Sequence, residues 1–256
     1  MKNLSDIGVI KDVMSRHGFT FSKALGQNFI INPSVCPRIA EEGGAQKGVG
    51  ALEIGAGVGV LTAELAKRAE KVVCVELDTR LLPVLDETLA DFDNITIIND
   101  DVLKTDLNKI AKEHFGDMPF VVCANLPYYI TSPVIMKLLE SRLPAESITV
   151  MVQKEAAQRL CAKTGSRDAG AVTVAVDFYA EAQKLFDVSR GSFMPSPNVD
   201  SAVIRLDVRD EPPISVTDEK FFFRVVKAAF AQRRKTASNS LSAGLNLPKD
   251  IVNRAI

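Results

Sequence analysis

The chain of 256 residues has little of the chemistry that most enzymes use for acid–base, nucleophilic or metal catalysis. Its only histidines, His17 and His114, have no metal-ligand spacing, and no histidine or cysteine dyad is in view. The four cysteines, Cys36, Cys74, Cys123 and Cys161, are far apart and form no CxxC pair. That excludes a disulfide framework and a zinc ligand set. Cys74 and Cys123 fall inside apolar runs, where a thiol acts as a small hydrophobe. No apolar run approaches the length needed to span a membrane. The opening stretch, MKNLSDIGVIKDVMSRHGF, mixes acids and basic residues among its apolar positions, unlike a signal peptide. A reducing cytoplasm, no membrane contact, no metal and a monomeric chain are expected. An overall excess of positive charge is missing too, since the net charge is −1. Its distribution is uneven: residues 221–256 carry seven Lys or Arg against Asp250 alone, a local +6 that leaves −7 for residues 1–220. A basic end on an acidic body is consistent with a polyanion partner, and equally with a solvated helical face.

What is present is an alternation of strand and helix patterns. Helical spacing runs through Ile7–Met14 and Val35–Ala40, and Ser34 is placed to cap the second helix. Five apolar runs then follow: GALEIGA, KVVCVEL, NITIIND, FVVCAN and SITVMVQ, each leading into a helical segment. Strands apolar on both faces, each followed by an amphipathic helix, predict a parallel sheet covered on both sides, a doubly wound α/β domain. After Ala182 the pattern changes to QKLFDVS and SAVIRLDV, joined by the proline-rich FMPSPN, which predicts a hairpin closing the sheet. RDEPPIS, Arg209–Ser215, reads as a linker. Beyond it DEKFFFRVVKAAFAQRRK, SLSAGL and PKDIVNRAI read as helices, the first with a basic end. The expected organisation is a catalytic domain over residues 1–208 and a small helical domain over 209–256. The last helix reaches the end of the chain without a cap, so this domain is expected to be truncated there.

The glycines Gly55, Gly57 and Gly59 come directly after the first strand, in LEIGAGVGVLT. Glycine lets the backbone turn sharply and approach a ligand, and the next helix offers its N-terminal N–H groups. A dinucleotide fingerprint wants glycine or alanine where Val60 stands. The loop therefore favours an adenosine-containing ligand without a pyrophosphate. Glu76 ends the second strand, 21 residues after Gly55, where a carboxylate can accept both ribose hydroxyl hydrogens. In INDDVLKTD, Asp101 is positioned to accept from an adenine amine, with Asp100 as the alternative. The fourth strand opens into Asn125, Leu126, Pro127 and Tyr128, at the end of the sheet where ligands bind in such folds. Pro127 forces Leu126 to be extended, which aims the Asn125 amide oxygen and a backbone carbonyl at one spot. Tyr128 offers a flat face to a base. Two acceptors that hold an adenine amine favour a pyramidal nitrogen, so the set suits methylation of that amine by positioning alone. Phe193, stiffened by Pro195 and Pro197, is a candidate second ring, with core packing as its competitor.

Seven motifs occur in this order: LGQNFIINP, LEIGAGVGVLT, VELD, DDVLKTD, NLPYYITSPVI, MVQKEAAQRL and FMPSPNVDSAV. From about Lys23 to Arg205 the chain resembles the bacterial ribosomal small-subunit adenine dimethyltransferase family, and its C-terminal helices resemble that family's small helical domain. The resemblance implies a Rossmann-like methyltransferase fold. It also implies transfer from S-adenosylmethionine to two adjacent adenosines in a hairpin loop near the 3′ end of 16S rRNA, within the small ribosomal subunit or its precursor. It further implies that Asn28, Ile30, Gly55, Glu76, Asp101 and Asn125 face the donor, to which the glycine loop adds Gly57 and Gly59 as candidate cofactor-binding residues. The target adenine would meet Asn125, Leu126 and Pro127 and lie between Tyr128 and Phe193. Arg233, Arg234 and Lys235 are the expected RNA contacts.

Three alternatives differ in kind. The large-subunit, macrolide-resistance adenine methyltransferases usually read Asn-Ile-Pro-Tyr where this chain has Leu126. A ribosome-assembly factor without catalysis would not need Asn125, Tyr128 and Gly55 intact. An NAD-dependent dehydrogenase is disfavoured by Val60 and by the lack of a hydride-transfer histidine or tyrosine–lysine pair.

Overall fold

The structure is a computed structural model and describes residues 4–19, 28–232 and 234–256. Its first elements are helix α1 (Ile7–Arg16), the two-residue strand β1 (Phe29–Ile30) and helix α2 (Val35–Glu42). The strand–helix repeats are β2 (Gly50–Ile54) with α3 (Val60–Ala66), and β3 (Lys71–Glu76) with α4 (Leu82–Thr88). They continue as β4 (Ile95–Asn99) with α5 (Leu107–His114), and β5 (Phe120–Asn125) with α6 (Thr131–Glu140). Then come β6 (Ser147–Gln153), α7 (Lys154–Leu160), α8 (Ala171–Tyr179), β7 (Ala180–Val188), β8 (Phe193–Met194) and β9 (Ser201–Val208). Helices α9 (Glu219–Phe230), α10 (Ala237–Leu245) and α11 (Lys249–Ala255) follow.

The large sheet has the order β4-β3-β2-β5-β6-β9-β7. Pairing is parallel from β4 to β6, whereas β9 lies antiparallel between β6 and β7. This is the doubly wound α/β sheet with a closing hairpin that the alternating pattern predicts. Successive strand residues point to opposite faces, and the core divides accordingly. Ala51, Cys74, Val121 and Cys123 join one hydrophobic cluster with residues of α1–α4. Leu52, Val73, Val75, Val122 and Ala124 join the other with residues of α5–α8. Burial on both faces explains why these strands read as unbroken apolar runs.

Four details depart from the sequence reading. Ser34 does not cap α2, because its hydroxyl and its N–H both donate to Asn32 Oδ1, at 2.9 and 3.1 Å. Helix α8 has no assignment from sequence, since AVTVAVDFY is rich in β-branched and aromatic residues of low helix propensity. It forms because Thr173, Ala175, Val176, Phe178 and Tyr179 are buried, and the Thr173 hydroxyl donates to the Arg159 carbonyl at 2.7 Å. The FMPSPN connection is more than a turn: β8 pairs antiparallel with β1, Phe29 opposite Met194 and Ile30 opposite Phe193. Helix α9 stops at Phe230 instead of running through Lys235. The following AQRRKT has no large apolar side chain to bury, and Thr236 caps α10 by accepting from the Asn239 N–H at 3.4 Å.

Residues 209–218 have no regular secondary structure, apart from isolated bends. The helices beyond them share a small core of Ala228, Leu241 and Val252. They are seated on α8 by Phe222 and Phe223, whose rings pack on Phe178 and Tyr179 at 5.1 to 5.5 Å between members of the cluster. Helices α9 and α10 cross closely at Gly244, where an added Cβ would stand 2.5 Å from Ala228 Cβ. Gly244→Val is therefore expected to cost about 1–3 kcal/mol through overpacking. Urea denaturation followed by circular dichroism measures it, and an unshifted midpoint would contradict this packing.

Candidate active site

Register decides which side chains meet. Ile54 pairs with Val75 on one side and Ala124 on the other, and Glu76 pairs with Asn99. The next residue along each strand is thus Gly55, Glu76, Asn125 or Asp100, all at the carboxyl edge of the sheet. They border one cavity of about 340 Å³, together with Asn28, Ile30, Gly57, Asp101, Leu126, Pro127, Tyr128 and Phe193. That size is within the range of small-molecule sites. Nearly every cofactor and target residue expected from sequence is therefore assembled in one place.

Gly55 has φ +78°, and a Cβ there would meet nothing within 4 Å, so the backbone faces open space inside the cavity. Gly59 differs. It does not border the cavity, and a Cβ would come within 3.0 Å of Leu89 and 3.1 Å of Thr88. Its φ of +89° sets the entry to α3. The structure thus gives Gly59 a packing position rather than a ligand-facing one. The Gly57 N–H donates to Glu76 Oε2 at 3.0 Å, and the Asp78 N–H donates to Oε1 at 2.8 Å. Glu76 is buried, and burial raises its pKa while these N–H groups act in the opposite sense. Each oxygen keeps a second lone pair for a ribose hydroxyl.

Asp100 is exposed and Asp101 half-buried. Asp101 Oδ1 accepts from the Leu103 N–H at 3.0 Å, and Lys104 stands 3.2 Å from Oδ2. The backbone N–H and the Lys104 ammonium hold its pKa below the usual carboxylate range. Leu77 and Leu103, exposed to 54% and 38%, add apolar surface to the same wall, suited to a flat base.

At the corner after β5, Asn125 Nδ2 donates to the Asn28 carbonyl at 3.3 Å. That bond leaves Oδ1 as the amide's acceptor. The Pro127 carbonyl accepts from the Ile130 N–H at 3.1 Å and the Thr131 hydroxyl at 3.3 Å. Among the described residues nothing donates to the Leu126 carbonyl, so it is the backbone acceptor left beside Asn125. The Leu126 side chain itself is buried in the core. Tyr128 is half-buried, and its hydroxyl lies 2.7 Å from Ser201 Oγ. Burial raises the Tyr128 pKa. Phe193 borders the cavity but is only 4% exposed and belongs to the core cluster. Its backbone pairs with Ile30, so β1–β8 pairing brings the Asn28–Ile30 segment and the FMPSP loop to the same wall.

A search of family models matches residues 18–253 to the ribosomal RNA adenine dimethylase family. The chain belongs to that family. Among curated relatives, the ribosomal RNA small subunit methyltransferase A of Geobacillus thermodenitrificans is 50% identical, covering 100% of this chain and 88% of its own. The protein of the same name from Bacillus cytotoxicus is 51% identical over 98% and 86%. Among solved structures, the 23S rRNA methyltransferase ErmE is 31% identical with a TM-score of 0.68, covering 89% of this chain and 88% of that one. A dimethyladenosine transferase from Plasmodium falciparum is 29% identical with a TM-score of 0.72, covering 85% and 77%.

In this dimethylase chain the basic triplet expected to touch RNA is only partly described. Arg233 and residues 25–27 of LGQNFIINP lie outside the described residues, while Arg234 and Lys235 are exposed in the turn between α9 and α10. Among the described residues no helix is long and apolar enough to cross a membrane, and no group of three or more His, Cys, Asp or Glu is placed to hold a metal.

Sequence reading has Ser201 only as part of the FMPSPNVDSAV motif and assigns nothing to the Asn28 carbonyl or, above all, to Glu53. A lone acid in an apolar strand was the available signal for the last. Glu53 borders the cavity at 1% exposure and accepts from Cys74 Sγ at 3.3 Å. Burial pushes its pKa from 4.5 up to about 7, against the opposing effect of bonds from Thr62 and Cys74. Between those values the folded state binds more protons than the unfolded one, so stability falls as pH rises through this window. Glu53→Gln is expected to be more stable than the parent above pH 7, by up to about 3 kcal/mol, and to converge with it below pH 4.5. Urea denaturation across pH 4–8 checks this, and a pH-independent difference would contradict it.

Proposed function

We propose that this protein transfers methyl groups from S-adenosylmethionine to the exocyclic amines of two adjacent adenosines in a hairpin loop near the 3′ end of 16S rRNA, giving dimethyladenosines. It acts on the small ribosomal subunit or its precursor, in the cytoplasm, as a monomer without a metal. The observation that carries this reading is the Asn125–Leu126 corner, which offers a side-chain and a backbone acceptor in the same cavity as the Gly55 loop. The small-subunit target is supported by relatives at 50–51% identity that bear a small-subunit name, against 31% for the large-subunit enzyme ErmE.

The residues present fit the donor. Gly55 leaves room against its backbone, Glu76 has lone pairs for the ribose hydroxyls, and Asp101 with Leu77 and Leu103 suits an adenine. When bound, S-adenosylmethionine supplies a methyl group on an already activated sulfonium carbon. The protein's task is then positioning. Asn125 Oδ1 and the Leu126 carbonyl accept the two amine hydrogens of the target adenine, and the nitrogen lone pair is turned toward the donor side of the cavity. Tyr128, steadied by Ser201, presents its ring to the unstacked base, and Phe193 supports the opposite wall. A base must leave its stack to reach this corner, so a fully paired duplex is a poor substrate. Residues 209–256 form the RNA-binding end in this reading, with Arg233, Arg234 and Lys235 on phosphates.

Asn125→Ala should abolish methyl transfer while RNA binding persists. Mass spectrometry of RNA from small subunits incubated with each variant reads the outcome, and unchanged turnover would defeat the role of this corner. Tyr128→Ala should weaken transition-state capture by about 1–3 kcal/mol if its ring stacks on the base. A loss seen only in thermal stability would contradict stacking. Replacing Arg234 and Lys235 by Gln should lower the salt slope of RNA binding by about 1 for each lost phosphate contact. An unaltered slope would move the RNA surface elsewhere.

A further inference from the structure

The donor-and-target cavity takes no lining residue from MVQKEAAQRL or from the NVDS end of FMPSPNVDSAV. In the fold they meet. Gln153, Lys154, Glu155 and Gln158 face Arg190, Asn198, Val199 and Asp200 across a second cavity of about 460 Å³. Gln158 follows Glu155 by three residues and Lys154 by four, the spacings that bring helical side chains together, and Ala157 and Leu160 of α7 are buried. The loop wall is held in place, since the Lys154 N–H donates to the Asp200 carbonyl at 3.0 Å and the Arg190 N–H to Asp200 Oδ1 at 2.9 Å.

This cavity adjoins the target corner through one residue. Gln153 pairs with Ser201 in the β6–β9 register, Ser201 follows Asp200 in the chain, and Ser201 Oγ is 2.7 Å from the Tyr128 hydroxyl. Its chemistry is that of a base-reading site. Gln158 and Asn198 are exposed amides able to make paired bonds to an adenine edge, and Val199, 42% exposed, gives an apolar surface. Lys154 is paired with Asp187 at 3.1 Å, whereas the Arg190 guanidinium forms no ion pair among the described residues. Glu155 and Asp200 are acceptors for a base amine and disfavour a phosphate inside the cleft.

Resting on the function proposed above, we propose that this cleft seats the nucleotide next to the adenosine being methylated. Its adenine is read by Gln158 and Asn198, and its phosphate stays outside the cleft, at the exposed rim on the Arg190 side. One adenosine of the pair then serves as the recognition element while the other is the substrate. Unstacked bases in loops are read in this way by side-chain amides.

The test pairs a protein change with an RNA change. Small subunits are assembled on RNA in which one of the two adjacent adenosines is replaced by uridine, and methylation of the remaining one is timed. Wild-type protein should lose at least tenfold in kcat/KM on the altered particle. The Gln158→Ala, Asn198→Ala double variant should lose a similar factor on the intact particle and no further factor on the altered one. Its affinity for S-adenosylmethionine should be unchanged, which controls for folding. Losses that multiply, a double variant that matches wild type, or a wild type indifferent to the uridine would each overturn the subsite alone. A wild type that fails to methylate intact particles would sink the proposed function, and the subsite with it.

Discussion

The in-register parallel pairing of β4, β3, β2 and β5 is the constraint on which the site depends. Parallel strands all end at one edge, so four segments separated by tens of residues deliver their next residues to a common level. A glycine turn, two carboxylate positions and an amide corner arrive together without any one loop having to span the cleft. A slip of one residue in any pair would turn that strand's side chains to the opposite face. Burial of both faces opposes such a slip, because Leu52 cannot exchange places with Ala51 without emptying one core and overfilling the other.

A second layer of contacts closes the edge. β1 pairs with β8, Asn125 donates to Asn28, and Tyr128 meets Ser201 at the start of β9, so chain-distant segments hold the corner in place. None of these bonds is individually large; a typical one contributes about 1 kcal/mol net. Their effect is geometric. They fix which end of the Asn125 amide points into the cavity and how the Tyr128 ring stands, the precision that the proposed catalysis by positioning demands.

The sheet was legible because strands buried on two faces leave long apolar runs, and the glycine turn because backbone curvature has few other sources. Legibility failed where tertiary contacts outweigh local preference. Helix α8 is built from residues that prefer strands and is held by burial against α9. Ser34 has a capping side chain, but Asn32 captures it first. At the site, types and spacing pointed to Glu76, Asp101 and Asn125, which border one cavity, yet could not separate Gly59, which makes room for α4, from Gly55, which faces that cavity. The pairing of Tyr128 with Ser201 spans 73 residues, beyond the reach of any local pattern.

A crystal structure with S-adenosylhomocysteine and adenosine bound would test the central claim most directly. The ligand's ribose is expected on Glu76, its adenine beside Leu77 and Leu103, and the amine of the second adenine within hydrogen-bonding distance of both Asn125 Oδ1 and the Leu126 carbonyl. Binding of either ligand away from the carboxyl edge of the sheet, or an amine that contacts neither acceptor, would contradict it.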